Sequence, residues 1–357
     1  MIGLATLLAV TSAWAGPYGS DFNKLVTALE VGGKSTKNLW KFQDPDFGAT
    51  DFMLPQENAP WAGNYSPMKD GGIARRQDGN SANPQNLPTK EQVKRMSPKE
   101  IANLSPAEKM DILNGDFEYK ITLHELNVRG PYRALQPAYW EGFCNGVRCA
   151  GFLTPEPVQT IEVVSPDGIK LKFLPSDLKG LAGASFFYIE NENYVDIGKP
   201  TRGDQRGSNR PNFGVVYLTL KYYLAEMKQA FVIDMSLDSE LWNETAAGFK
   251  MKQTPRQALT VQESIDFPNA RHKVLVKIRL KTLGEVSVQR SNSPTKKSIS
   301  QGKLLKETPM SGYLYLDREG KIIDGAWRDN TLDSSENHWR GVDFMWFAAG
   351  KGADAKF

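Results

Sequence analysis

The sequence predicts an α+β fold in which a helical part comes first and a β-rich part follows it. Two capping boxes, Ser97-Pro-Lys-Glu and Ser105-Pro-Ala-Glu, indicate the starts of two short helices. A turn signal, Pro166-Asp-Gly, separates two runs rich in β-branched residues and indicates a hairpin. Apolar side chains recur at every second position from residue 274 to residue 280, which is the period of a strand. Helices and strands that are segregated along the chain are typical of the α+β class.

The N-terminus resembles an export signal. Residues 1–15 carry no charge, and their apolar run is followed by the small-residue motif Ala13-Trp14-Ala15. The pattern predicts cleavage after Ala15, although the basic start of such signals is missing; a buried first helix is the alternative. The run is too short to span a bilayer, which needs ~20 apolar residues. We therefore expect a secreted or periplasmic protein that does not sit in a membrane.

The segment of residues 16–104 is predicted to wrap irregularly around the rest of the protein. Between Lys34 and Lys99 it is rich in Pro, Asn, Asp and Gly and has no sustained apolar period. The aromatic residues Trp61 and Tyr65 indicate that part of this segment packs against the body of the protein.

Residues 105–253 are predicted to form an α+β core. Residues 119–128 are expected to be extended, because apolar side chains alternate there. A glycine- and aromatic-rich stretch then leads into a predicted helix over 143–153, which ends before a proline. The predicted hairpin follows, with strands at 160–164 and 169–173.

The C-terminal part, residues 254–357, is predicted to be β-rich. Before it, residues 214–227 are strongly apolar and aromatic and predict a helix, and residues 230–234 predict a short buried strand. Within it, residues 274–280 predict a longer strand. A second hairpin is expected over 313–323, around the turn sequence Asp-Arg-Glu-Gly.

Composition excludes several classes of function. The 357-residue chain has 44 Lys and Arg against 41 Asp and Glu, a formal charge of +3, so nucleic-acid binding is not expected. Two cysteines exclude a disulfide scaffold and an all-cysteine zinc site, and three histidines argue against a histidine-rich metal centre. No glycine-rich loop ends in the Lys-Ser/Thr of a phosphate-binding loop. We expect neither a metal nor a cofactor.

Cys144 is the candidate for chemistry. It stands where the chain is predicted to turn into a helix, and the free N–H groups of a helix start favour a thiolate. This is what a cysteine acyl-transfer nucleophile needs, whereas the alternative is a small buried side chain. Gln136 and Trp140, eight and four residues earlier, are candidate oxyanion donors, with packing or turn roles as the alternative.

A disulfide between Cys144 and Cys149 is not expected. Five residues apart on a helix, the two side chains lie about 140° apart around the axis. Their Cα atoms would then be beyond the ~7 Å limit of a bridge. Both thiols are predicted to be free, with Cys149 in the core.

Two blocks of the sequence resemble a known family. Trp140-Glu-Gly-Phe-Cys-Asn-Gly, followed by Thr154-Pro-Glu-Pro, is similar to the active-site block of the transglutaminase elicitor family of secreted oomycete and bacterial proteins. Phe231-Val-Ile-Asp, followed by Glu240-Leu-Trp-Asn, is similar to the family's aspartate-containing segment and to the surface peptide that plants recognise in oomycete members. Three further stretches match in order: Ala59-Pro-Trp-Ala-Gly-Asn-Tyr, Leu104-Ser-Pro-Ala-Glu-Lys and Asp343-Phe-Met-Trp.

The resemblance implies a papain-like two-part architecture and transamidation by a Cys-His-Asp arrangement. Position by position, Cys144 matches the nucleophile and Asp234 matches the orienting carboxylate, for which a turn residue at a strand end is the alternative. Where the family has its histidine, this chain has Tyr217. A phenol titrates near pH 10 and cannot form the cation that stabilises a thiolate, so Tyr217 would leave Cys144 under-activated.

Another histidine could replace the missing base. The chain contains only His124, His272 and His338. His272 shares the alternating apolar face of its strand, which predicts a core position. His338 lies in a surface-like stretch rich in Ser and Asn, and His124 precedes the cysteine block.

These observations leave three functions open. The first is an exported protein-glutamine γ-glutamyltransferase that forms a thioester on Cys144 and passes the acyl group to an amine. Its substrates would be proteins or cell-wall polymers that carry glutamine and amine groups. The second is a catalytically silent family member that acts as a secreted binding or recognition protein. The third is a cysteine peptidase, in which water replaces the amine.

Overall fold

The computed structural model describes residues 17–187, 194–201, 209–328 and 340–348. The predicted export signal, residues 1–15, lies outside these ranges. Within them, helices predominate up to residue 187 and strands predominate after residue 194, so the predicted α+β fold with its two-part order is confirmed. None of the described helices combines the length and the apolar character that a membrane crossing requires.

The first part is built from helices around one short strand and one hairpin. The capping boxes at Ser97 and Ser105 are both formed, so these two predicted helix starts are confirmed. The hairpin over residues 161–173 is confirmed as well. The elements of this part, in order, are α1 (Pro17–Val31), β1 (Asp51–Met53), α2 (Lys90–Arg95), α3 (Pro98–Asn103), α4 (Pro106–Leu113), α5 (Lys120–His124), a π-helical turn (Glu125–Arg129), α6 (Cys144–Leu153), β2 (Ile161–Val164), β3 (Lys170–Phe173) and α7 (Pro175–Phe187).

The prediction that residues 119–128 are extended is wrong, because this stretch is helical. The carboxylate of Asp111, on α4, accepts hydrogen bonds from the backbone N–H groups of Ile121 and Thr122 at 3.0 and 2.9 Å. These are the N–H groups that a helix start leaves without partners. A cap that comes from ten residues away leaves no local signal in the sequence. The alternation of two apolar residues therefore favoured a strand.

The second part is an antiparallel sheet with helices beside it. The sheet order is β4-β10-β5-β6-β7-β8-β9, and β1 adds to β6. The hairpin predicted over 313–323 is confirmed by the pairing of β8 with β9. The elements of this part are β4 (Tyr194–Gly198), α8 (Phe213–Leu218) with its π-helical continuation (Thr219–Glu226), β5 (Phe231–Ser236), β6 (Asn243–Gln253), α9 (Val261–Asp266), β7 (His272–Leu283), α10 (Val288–Ser291), α11 (Lys296–Ser300), β8 (Lys306–Leu316), β9 (Ile322–Trp327) and β10 (Arg340–Ala348).

Helix α6 lies between two apolar cores. One core packs α1 and α8 against the sheet, and the other joins α4, α6 and α7. A methyl group built on Gly146 of α6 would lie 2.0 Å from the carbonyl oxygen of Gly183 on α7, so these two helices pack backbone to backbone. On its other side α6 contacts β5 and β6. The start of α6 is thereby placed at the boundary of the helical part and the sheet. The boundaries between the three predicted segments, after residues 104 and 253, stay a prediction.

Candidate active site

Cys144 opens into a cleft between α6 and the ends of β5, β6 and β7. The cleft has a volume of about 260 Å³. Its lining combines the thiol with aromatic, acidic and basic side chains, namely Tyr139, Cys144, Arg148, Met235, Ser236, Glu240, Trp242, Asn243, Glu244, Gly284, Glu285 and Lys306. A concave site with a nucleophile and several convergent polar groups is where chemistry is expected.

The thiol of Cys144 is mostly shielded from solvent, with 8% of the residue exposed. Its Sγ accepts a hydrogen bond from Asn243 Nδ2 at 3.4 Å and donates to the carbonyl oxygen of Leu241 at 3.6 Å. Burial raises the pKa of the Cys144 thiol, while hydrogen bonding from Asn243 and the positive charge of Arg148 act in the opposite direction. The free protein therefore holds this cysteine mainly as a thiol.

Asn243 is held in one orientation. It begins β6, and its Oδ1 accepts a hydrogen bond from Trp346 Nε1 at 3.1 Å. An indole N–H can only donate, so the amide oxygen must face Trp346 and the amide N–H₂ must face the sulfur. The sheet thus points a hydrogen-bond donor at Cys144.

Asp234 lies beside this pair. It is the direct cross-strand partner of Asn243, so the two side chains share one face of the sheet. Asp234 is fully buried, and its Oδ1 accepts hydrogen bonds from the backbone N–H and the hydroxyl of Ser236, both at 2.8 Å. Its Oδ2 has no hydrogen-bond partner among the described residues. Burial raises the pKa of Asp234 to about 8, against the opposing effect of Ser236.

Arg148 brings a positive charge to the same place. It lies one turn after Cys144 on α6 and is 1% exposed. Its Nε donates to the carbonyl oxygen of Asn243 at 3.3 Å, and its Nη1 has no partner among the described residues. Burial lowers the pKa of its guanidinium, but an arginine starts so high that it keeps its charge.

Aromatic and acidic side chains form the mouth of the cleft. The carboxylate of Glu240 accepts from the hydroxyl of Tyr139 and, at 2.8 Å, from the indole N–H of Trp242. The rings of Tyr139 and Trp242 lie 6.3 Å apart. Deeper in, Glu244 is paired with Lys306 at 2.8 Å. The cleft therefore offers flat apolar walls with a negative rim.

Tyr217, which aligns with the family's histidine, is not in this cleft. Its hydroxyl donates to the carbonyl oxygen of Pro45 at 2.8 Å and accepts from Lys221 Nζ and Gln253 Nε2 at 2.9 and 3.0 Å. Tyr217 contacts Gln253, which ends β6, and Cys144 contacts Asn243, which begins it. The two ends of this eleven-residue strand are roughly 30 Å apart along the chain. Burial raises the pKa of this phenol further above its ordinary value. The structure brings Cys144 and Asp234 together and leaves Tyr217 elsewhere.

The two oxyanion candidates lie on the loop before α6. Gln136 is exposed, and its amide donates to the carbonyl oxygen of Pro131 at 2.8 Å. Trp140 is half-buried. Neither belongs to the lining of the cleft described above, and their role as oxyanion donors stays a prediction.

Neither of the two histidines in the described residues lines the Cys144 cleft. His272 begins β7 and is exposed, so the prediction that it packs in the core is wrong: the strand's first residue projects beyond the apolar face. It lies roughly 35 Å along β7 from the end of that strand that reaches the cleft. His124 is exposed at the end of α5, and His338 lies outside the described residues.

Both cysteines are free, as predicted. Cys149 is fully buried, and burial raises the pKa of its thiol to about 12, so it is inert at neutral pH. Among the described residues, no group of three or more His, Cys, Asp and Glu side chains is arranged to hold a metal ion.

Comparison with known proteins assigns the chain to a family. The sequence profile described as transglutaminase elicitor matches residues 133–356, which contain the whole cleft. The chain belongs to the transglutaminase elicitor family. The crystal structure of the GP42 transglutaminase from Phytophthora sojae is similar to this chain, with a TM-score of 0.62 and 19% sequence identity over 93% of this chain and 91% of that chain. At that identity the likeness shows a shared fold. A search of curated proteins finds no match.

Three residues of the candidate site were missed by sequence reasoning. Asn243 and Trp346 each end a stretch that resembles the family, and the resemblance gave them no role. Arg148 had a simple signal, because a residue four positions after a helical cysteine shares its face. A mid-helix arginine is usually solvated, so its burial beside the thiol could only be found in three dimensions.

Proposed function

We propose that this protein is an exported protein-glutamine γ-glutamyltransferase that uses Cys144 as its nucleophile. The observation that carries the proposal is the hydrogen-bond chain from Trp346 through Asn243 to the Cys144 sulfur. A structural cysteine needs no oriented donor, whereas a nucleophile must be held at a fixed position and angle. The buried Asp234 and Arg148 beside it support the same function, because perturbed titratable groups cluster at functional sites.

The first half-reaction would acylate the cysteine. The Cys144 sulfur attacks the carboxamide carbon of a glutamine, a C–S bond forms, and the carbonyl π electrons move to the oxygen. When the C=O bond re-forms, the C–N bond breaks, and the nitrogen leaves as ammonia with the proton that the thiol gave up. Asp234, whose pKa burial raises to about 8, would take up that proton in its ionised form, which is the minority form at neutral pH.

The second half-reaction would transfer the acyl group. A primary amine attacks the thioester carbon, the C–S bond breaks, and one amine proton returns to the sulfur, so the product is a secondary amide and free Cys144. The negative rim formed by Glu240 and Glu285 favours a cationic acceptor such as a lysine side chain. The rings of Tyr139 and Trp242 would flank the methylene groups of an entering side chain.

Amine incorporation tests this function. A fluorescent primary amine is incubated with a glutamine-containing protein, such as methylated casein, and the wild-type enzyme. The wild type should label the acceptor protein, Cys144→Ala should label it at background level, and the matched variant Cys149→Ala should retain labelling. Equal labelling by wild type and Cys144→Ala would remove the proposal.

A silent binding protein is the second candidate, and one observation favours it. Among the described residues no histidine lines the Cys144 cleft, and burial raises the pKa of the thiol. Alkylation separates the two functions, because an unassisted thiol titrates near pH 8.5 or above. Rapid alkylation of Cys144 near pH 6 contradicts the silent protein. A cysteine peptidase would instead cleave the test protein without incorporating the amine.

Export is part of the proposal and rests on residues 1–15. The measurement is the N-terminus of the protein recovered from a host that secretes it. A chain that starts at Gly16 in the periplasm or medium supports export, and an intact chain that stays in the cytoplasm contradicts it.

A further inference from the structure

A buried guanidinium with an unused N–H group lies in the Cys144 cleft. We propose that Arg148 carries the positive charge of this active site: it stabilises the Cys144 thiolate and then donates a hydrogen bond from Nη1 to the oxyanion of the acyl intermediate. The second role rests on the proposed transferase function, whereas the first does not.

Helix geometry places Arg148 on the same face of α6 as Cys144. Residues four apart on an α-helix lie on one face, and Cys144 is the first residue of α6, where the helix N–H groups already favour negative charge. The contact of Arg148 Nε with the carbonyl oxygen of Asn243 ties the guanidinium to the residue whose amide donates to the sulfur. Sulfur and guanidinium therefore share one neighbour and line one cleft.

The unpartnered Nη1 indicates that a ligand completes this site. A buried polar group without a hydrogen bond is costly, and folded proteins rarely keep one without a reason. The Nη1 of Arg148 is such a group among the described residues. A guanidinium has no acceptor capacity, so what completes it must be an anion or a carbonyl oxygen. Nucleophilic attack by Cys144 produces such an oxygen inside the cleft.

Other charges around the thiol do not cancel Arg148 directly. Glu244, on β6, accepts from Thr282 Oγ1 and pairs with Lys306 of β8 at 2.8 Å, so its charge is engaged. Glu285, which follows β7, is exposed at the rim and interacts electrostatically with Arg148 without forming an ion pair. Asp234 of β5 is mainly protonated at neutral pH because burial raises its pKa to about 8. In the described part of the chain, Arg148 makes no ion pair. Its charge is therefore available to stabilise the Cys144 thiolate and the oxyanion of the acyl intermediate.

The family resemblance leaves the Cys144 thiolate without a stabilising cation, and Arg148 can supply that charge. An imidazolium usually stabilises a catalytic thiolate, and the aligned residue Tyr217 lies far from Cys144. An opposite charge within about 4–6 Å lowers an acid's pKa by 1–3 units. Arg148 can do this for the thiol, but it cannot accept a proton, so proton transfer falls to another group.

The test measures the reactivity of Cys144 in a Cys149→Ala background, so that one thiol remains. Iodoacetamide alkylation is followed by mass spectrometry from pH 5.5 to pH 10. Arg148→Gln should raise the midpoint by at least one pH unit and slow alkylation at pH 7 at least tenfold. The matched control is Lys277→Met on β7, which removes an exposed positive charge outside the lining of the cleft, and its rate should change less than threefold.

Two results would overturn the proposal. One is a folded Arg148→Gln protein whose alkylation profile matches the parent. The other is an equal shift in Lys277→Met, which would show an effect of net charge alone. If the Arg148→Gln variant does not fold, the Arg148→Lys variant is measured instead. It keeps the positive charge but lacks the several N–H donors of the guanidinium. Its midpoint should stay within half a unit while amine incorporation falls at least tenfold, and undiminished incorporation would contradict the oxyanion role. Wild type that incorporates no amine removes the transferase function and leaves the alkylation result standing.

Discussion

Replacing Asn243 with alanine removes the hydrogen-bond donor on the Cys144 sulfur and leaves the thiol in place. The donor lies 3.4 Å from Sγ, and its orientation is fixed by Trp346. A donor of this kind stabilises a thiolate more than a neutral thiol. The Asn243→Ala substitution should therefore raise the pKa of Cys144 beyond the rise that burial already causes.

The size of the effect follows from the strength of a hydrogen bond to a charged group. Such a bond contributes roughly 1.5–3 kcal/mol, and one pKa unit corresponds to about 1.4 kcal/mol. The Cys144 pKa should rise by roughly one to two units in the Asn243→Ala variant. Below its pKa, the thiolate fraction falls tenfold per unit, so alkylation near neutral pH should slow by roughly 10- to 100-fold.

The assay is iodoacetamide alkylation against pH in the Cys149→Ala background, with circular dichroism as the check on folding. Trp346→Phe is the matched control, because it keeps the amide and removes only the group that orients it, and it should slow alkylation less than Asn243→Ala does. An Asn243→Ala protein that is folded and alkylates at the parent rate would show that the amide does not act on the sulfur.

The remaining predictions concern Asp234, Tyr217 and Gly146. Because the folded-state pKa of Asp234 is raised to about 8, folding takes up a proton between about pH 4 and pH 8, and wild-type stability should fall with rising pH in that window. Urea unfolding should show a slope that is shallower in Asp234→Asn, by at most about 1.4 kcal/mol per pH unit. Tyr217→Phe should cost about 1 kcal/mol of stability in the same assay and leave amine incorporation unchanged, because its hydroxyl is bonded far from the cleft. Gly146→Ala should cost about 1–3 kcal/mol and lower incorporation, because its new methyl would lie 2.0 Å from the Gly183 carbonyl oxygen.

Each of these has an outcome that refutes it. Identical pH slopes in wild type and Asp234→Asn would show that the carboxyl is ionised in the folded protein. A Tyr217→Phe protein that is folded but incorporates no amine would show that Tyr217 takes part in the reaction. A Gly146→Ala protein of unchanged stability would show that α6 and α7 are not in backbone contact.

Local signals made much of the fold predictable. Capping at Ser97 and Ser105 depends on residues three positions apart, and both hairpins depend on turns of a few residues. The helix predicted over 143–153 corresponds to α6, which begins one residue later, at Cys144. The helix after Tyr119 was not predictable locally, because its cap comes from Asp111.

The candidate site was predictable only in part. Cys144 was predicted from its place at a helix start and Asp234 from the resemblance to the family, and the structure places both beside Asn243. The partners of the thiol come from distant parts of the chain: Asn243 lies 99 residues from Cys144, and Trp346 lies 103 residues beyond Asn243. The same resemblance aligned Tyr217 with the family's catalytic histidine. A sequence alignment does not show whether the packing around an aligned residue brings its side chain into the site.

The hydrogen-bond chain through Trp346 also sets when the cysteine can become reactive. Asn243 is translated 99 residues after Cys144, and Trp346 follows another 103 residues later, so the growing polypeptide carries Cys144 without its oriented donor during that interval. Acylating power would emerge only after β10 has joined the sheet. Under the proposed transferase function, the order of translation would thus delay cross-linking until the sheet is complete.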